Sequence, residues 1–299
     1  RGFCARAASA DDAGKYLSLA GLFDTLVHDP DDLRPLDHWI AAADRLIAAQ
    51  PCWPSAAIEA RLTQSLFMAL VLRQPQHPQI YAWGERTLAL AQLPGAARLR
   101  MTAGIYVLTV LIWTGQFAKA AALIEALRTI AEDPVVPPVS LVTLRQLESM
   151  YYMLQGRQEA CLEAMYDGLD LAQNSGVALW RGTLLLHGAG GSLAAGDLTT
   201  AAELLAEVGV RGVRVRRFGA SMREYMLGWD ALLRGESWQA HEHARESLRI
   251  ADQLGAPYFQ ALSGLALVQS LLAIGELKAA GEQLERALQV ATPIRSRLF

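Results

Sequence analysis

Gly115-Gln116-Phe117-Ala118-Lys119-Ala120 decides the fold, because the chain repeats it. Gly196-Asp197-Leu198-Thr199-Thr200-Ala201 and Gly275-Glu276-Leu277-Lys278-Ala279-Ala280 have the same pattern: a glycine, an apolar residue two places on, and a small residue five places on. Gly156 to Cys161 and Gly235 to Ala240 keep the glycine and the small residue. In the first, Gln158 stands where an apolar residue is usual; in the second, Trp238 comes one place late. Gly115, Gly156, Gly196, Gly235 and Gly275 follow one another at spacings of 41, 40, 39 and 40 residues. Apolar stretches with helical spacing flank each one. Self-similarity at a fixed period of this length marks a helical repeat array. The recurring small residue lets two helices joined by a short turn approach closely, and the glycine can take a positive φ there.

Working outward, breakers fall between pairs of helical stretches. They are Asp133-Pro134 with Pro137-Pro138, Asn174-Ser175-Gly176, Gly209 with Gly212, and Gly255-Ala256-Pro257. Upstream, Gln50-Pro51-Cys52-Trp53-Pro54 ends the second helix, and Gln74-Pro75-Gln76-His77-Pro78 is a rigid connector between the third and the fourth. The expected fold is all-α, a right-handed α-solenoid of about seven antiparallel helix pairs with a period of about 40 residues. The expected organisation is an irregular lead-in over 1–10, an N-terminal helix pair over 11–54, and repeats over 55–299 continuous with that pair. Asp11 and Asp12 are expected N-caps of the first helix.

Composition narrows the function classes. Apolar residues make up 52% of the 299, and the net charge of −3 gives no field favouring nucleic acid. The apolar run from Ile105 to Trp113 is too short to cross a bilayer. Cys4, Cys52 and Cys161 show neither metal-ligand nor disulfide spacing. That fits a reducing cytoplasm, with Cys52 and Cys161 as small buried residues. The chain starts at Arg1 and stops at Phe299, which reads as a piece of a longer protein. His241 and His243 lie on different sides of a helix, so no metal pair is expected. His187-Gly188-Ala189-Gly190-Gly191 has a helix on both flanks, so its glycines are read as a close helix contact, not a phosphate loop.

The Gly115, Gly196 and Gly275 segments look like the G-x-φ-x-x-A turn of tetratricopeptide repeats. The period exceeds the roughly 34 residues of the common repeat, so the helices are longer. Long degenerate repeats of this kind resemble the superhelical sensor domain of MalT-type bacterial transcription regulators, which are signal-transducing ATPases. A phosphate-loop motif and a convincing helix-turn-helix are not found in this sequence.

The resemblance implies a concave groove lined by the first helix of each pair. Counted back from the turn glycines, groove positions fall on Thr102, Thr143 and Thr183, on Gln146 and Tyr225, and on Thr109, Trp229 and Gln269. Arg61 and Gln64 join them if Gln74 takes the glycine place. A threonine ladder beside amides and aromatic rings suits a small neutral polar ligand such as an oligosaccharide, or a peptide backbone. Arg211, Arg214, Arg216 and Arg217 form a candidate surface for a protein partner.

No cluster of titratable residues with reactive spacing is evident, and no cofactor is expected. The expected function is a non-enzymatic ligand-sensing or protein-interaction domain of a MalT-like regulator, cytoplasmic, binding neither nucleic acid nor membrane itself. The alternative is a general scaffold that holds a peptide or partner domain in its groove.

Overall fold

The repeated glycines stand at equivalent turns. Gly115, Gly156, Gly196, Gly235 and Gly275 all have positive φ, between 66° and 84°. At each, the glycine N–H donates to the carbonyl three residues back, and the next N–H donates to the carbonyl five residues before it. Gly196 to Leu193 (3.1 Å) and Asp197 to Ser192 (2.9 Å) is one example. This paired closure satisfies carbonyls that a helix end would otherwise orphan, and it needs a residue that tolerates the left-handed region.

The computed structural model describes residues 10–28, 30–49, 52–91, 97–208 and 216–298. Among the described residues there are fourteen helices and no strand. They are α1 (Ala10–His28), α2 (Leu36–Ala49), α3 (Ala56–Arg73), α4 (Ile80–Ala91), α5 (Ala97–Trp113), α6 (Phe117–Ala131) and α7 (Pro138–Leu154). The rest are α8 (Gln158–Ser175), α9 (Arg181–Ala195), α10 (Leu198–Val208), α11 (Arg217–Leu233), α12 (Ser237–Leu254), α13 (Pro257–Ala273) and α14 (Leu277–Leu298). This is an α-solenoid of seven helix pairs. Asp11 and Asp12 are not caps: α1 already includes Ala10, so both lie within the helix. Cys4 and Gly209 lie outside the described residues. No described helix is long and apolar enough to cross a membrane.

Close approach within each pair follows from the small residues. Ala120, Cys161, Ala201, Ala240 and Ala280 are all buried at the start of the second helix. In the middle of the array the first helix is itself small. A Cβ on Gly190 would stand 2.5 Å from Met153 Sδ, and one on Gly191 would stand 2.9 Å from Cys161 Sγ. The glycines of α9 therefore serve helix contact, with α8 and α7 pressed against them. Cys161 is a free buried thiol. Cys52 is disulfide-bonded, which corrects the expectation of a second free thiol.

The array curls until its beginning meets its end. Leu33 N donates to Leu254 O at 2.8 Å. Arg73, at the end of α3, chelates Asp37 through Nε and Nη2 (3.0 and 2.6 Å) and donates from Nη1 to Gly255 O at 2.7 Å. Arg217 N and Nη1 donate to Asp31 Oδ1 and Asp31 O. The Trp113 ring stacks on Tyr258, with centroids 4.3 Å apart and planes 9° from parallel. One hydrophobic core accordingly runs from α1 to α7 and takes in Leu254, Ala256 and Phe259 from the far end.

Candidate functional site

Closure converts the concave groove into a cavity of about 270 Å³. Its wall comes from the first helices α3, α5, α7, α9, α11 and α13, from the end of α1 (Val27, His28) with the α1–α2 link (Pro30, Leu33), and from Leu254 at the end of α12. Met68, Met150, Met153, Met222 and Met226 supply flexible apolar surface, and Trp113, Phe218, Trp229, Tyr258 and Phe259 supply rings. Among the described residues the wall holds no Asp, Glu, Lys or Arg. A site of this kind, concave and apolar with a few placed polar groups, is the usual form of a small-molecule pocket. Its volume lies just below the roughly 300–1,000 Å³ such pockets span.

Several of the wall's polar atoms are already engaged. Thr109 Oγ1 donates to Ile105 O at 2.9 Å, and Thr143 Oγ1 donates to Val139 O at 2.7 Å. Trp180 Nε1 donates to Thr143 Oγ1 at 2.7 Å. Such back-bonding within a helix leaves a threonine hydroxyl little to offer a ligand as a donor. Burial pushes the Tyr225 hydroxyl up, and the Tyr258 hydroxyl up to about 12, so both stay protonated and neutral.

Two imidazoles of the wall differ from these: His28, whose Nδ1 lies 2.9 Å from Asp24 O, and the more deeply buried His187. His187 is held from another helix. Its Nδ1 lies 3.1 Å from Gln146 O, and a carbonyl only accepts, so Nδ1 carries the proton. Burial pushes the ring's pKa down to about 4, opposed by that hydrogen bond, so the imidazole is neutral. Nε2 is then a bare acceptor. It has no partner among the described residues. It is also not one of the fully enclosed orphan atoms, which are Thr63 Oγ1, Trp83 Nε1 and Arg223 Nε; it opens on the cavity that His187 lines.

Of the residues projected from the turn glycines, Thr109, Thr143, Gln146, Thr183, Tyr225 and Trp229 line the cavity. The others do not. Arg61 is paired with Asp24, and Gln64 Nε2 donates to Leu99 O at 3.3 Å. Thr102 Oγ1 donates to Arg98 O, and Gln269 is exposed. Of the basic cluster, Arg211 and Arg214 lie outside the described residues, while Arg217 holds Asp31. Reasoning from the sequence missed one row entirely. Tyr106, Leu147, His187 and Met226 each stand nine residues before a turn glycine, and all four line the cavity. On a helix, nine lies one turn from thirteen and one from six, so the row shares the face of the projected positions. The Pro30, Leu33, Tyr258 and Phe259 contributions carry no repeat signal at all.

No protein-family model matches the chain, and no curated protein matches it. Among solved structures it is similar to the crystal structure of a Rap protein complexed with competence and sporulation factor. The TM-score is 0.63 at 11% sequence identity, covering 94% of this chain and 78% of that one. At that identity the likeness concerns the fold, a solenoid of tetratricopeptide type.

Proposed function

We propose that this chain is a non-enzymatic sensing and protein-interaction module whose signal is occupancy of the cavity. The observation that carries the reading is that the two ends of the array meet and both contribute to the wall of one cavity, without a charged side chain among the described residues. An occupant touching six first helices and the α1–α2 link binds the closed form better than an open one. It therefore shifts the population toward closure. The outer surfaces of the pairs move with that change, and a protein partner reads them. The Rap structure, determined in complex with competence and sporulation factor, supports the idea that a solenoid of this fold can hold a bound factor.

The finer reading, output to transcription as in MalT-type regulators, rests on the sequence resemblance. An ATPase module and a DNA-binding module in the same gene product would bear it out. A cytoplasmic setting rests on the same resemblance, since disulfide-bonded Cys52 does not speak for a reducing compartment. The alternative, a scaffold with no small ligand, draws support from the edge formed by the turns. There Leu233, Trp238, Leu272 and Leu277 are exposed, Trp238 and Leu277 at 69% each.

One experiment separates the two. A thermal-shift screen of neutral apolar molecules, sugars and short peptides is followed by hydrogen exchange with any molecule that raises the midpoint. The sensing reading expects an apolar molecule to raise the midpoint and to slow exchange in α5, α7, α9 and α11. No shift with any class, or a shift with unchanged exchange in those helices, overturns it and leaves the scaffold.

A further inference from the structure

The cavity wall is chemically lopsided. Gln146, Trp180, Thr183 and His187 come from the neighbouring α7 and α9 region, whereas α11 and α13 supply mostly rings and methionines, and the beginning of the array supplies Val27, Pro30 and Leu33 with one further imidazole, His28. Within the polar part, the Trp180 indole N–H is spent on Thr143. His187 Nε2 is an acceptor without a donor, and Thr183 lies one helical turn before it on the same face. Leaving a buried acceptor unpaired costs free energy that a ligand donor recovers on binding. Among the described residues a carboxylate or phosphate would meet no cationic side chain in the wall to replace its hydration, and an ammonium no anionic one. A volume of about 270 Å³ matches a small molecule more closely than an oligosaccharide or a folded element of a partner.

We propose that the cavity takes a small uncharged aromatic or alkyl molecule carrying one hydroxyl or N–H, whose proton is received by His187 Nε2. This rests on the sensing reading above and adds its ligand class. The apolar body lies among the methionines and rings, where unbranched thioether side chains adapt to its outline. The donor end settles against α9. Selectivity then comes from His187: an analogue of the same shape without a donor leaves Nε2 unpaired and binds more weakly. An analogue with a charged head is rejected.

The test uses two probes of similar shape, 4-propylphenol and propylbenzene, titrated calorimetrically and by fluorescence of the cavity tryptophans. Wild type is expected to prefer the phenol at least tenfold, and H187F to lose that preference while still binding propylbenzene. Equal binding of the two by wild type overturns the His187 assignment but leaves the sensing module standing. Binding of neither overturns the ligand class, and the screen above then decides the module. Should H187F fail to fold, the wild-type protein labelled with ¹⁵N-histidine answers the question. The unprotonated Nε2 resonance of His187 moves on adding 4-propylphenol and stays on adding propylbenzene. A resonance indifferent to both sinks the proposal.

Discussion

His187 shows how much one residue's surroundings decide. Its ordinary pKa is 6.5, and enclosure brings it to about 4 in the folded protein. The unfolded chain therefore binds more protons between those values, so stability rises with pH across that window and is lost as pH falls through it. In urea unfolding, wild type should lose on the order of 2 kcal/mol relative to H187Q between pH 6.5 and 4.5. Parallel curves for the two proteins would mean that the ring titrates normally. The sequence offered this residue only inside a glycine run, where it looked incidental. Its burial comes from α7 lying across α9, and no property of residues 187–191 reports that.

At the scale of the element, the helix pair is the unit that the sequence describes best. A glycine at positive φ closes each first helix, and a small residue five places on lets the second cross it. Ala201 is fully buried at such a crossing, so Ala201→Leu should overpack the pair at a cost of about 1–3 kcal/mol. Thr199→Leu, at an exposed position two residues away, should stay within about 0.5 kcal/mol. Chemical denaturation of the two variants makes the comparison, and equal costs would remove the crossing argument. The same turn geometry made six of the cavity residues legible, because a fixed register converts a position in sequence into a face of a helix. The register has limits. Thr102 and Gln269 occupy groove positions, yet they stand where the wall has turned away from the cavity.

The whole molecule is held in its closed form by few groups. Arg73 joins Asp37 to the carbonyl of Gly255, and Gly255 itself takes a positive φ. Arg73→Ala should cost about 1–2 kcal/mol of closure and speed hydrogen exchange roughly tenfold in residues 30–37 and at the α12–α13 turn. Exchange in α8 and α9 should stay as in wild type. Uniform acceleration everywhere would mean that the ends have no separate opening. Acid acts on the same contact. Burial raises the Asp37 carboxyl, but hydrogen bonds from Arg73 and Gln74 together with the Arg73 charge bring it below its ordinary 3.8. Its contribution is therefore present above that value and is lost as pH falls through the lower folded one.

What the sequence by itself determined is local and periodic: helices, turns, pairs, and which face of each first helix looks inward. These follow from interactions spanning one turn or one repeat, and the glycine spacing records them. Whether the array stays open or closes was decided by tertiary structure alone. Closure depends on rotation accumulated over seven pairs and on contacts between residues such as Leu33 and Leu254, which no repeat brings together. A small change per pair swings the ends far apart, so the sum cannot be read from any one term. That sum replaced a groove fringed with threonine hydroxyls by a deep, mostly apolar cavity in which the His187 nitrogen faces no protein donor among the described residues.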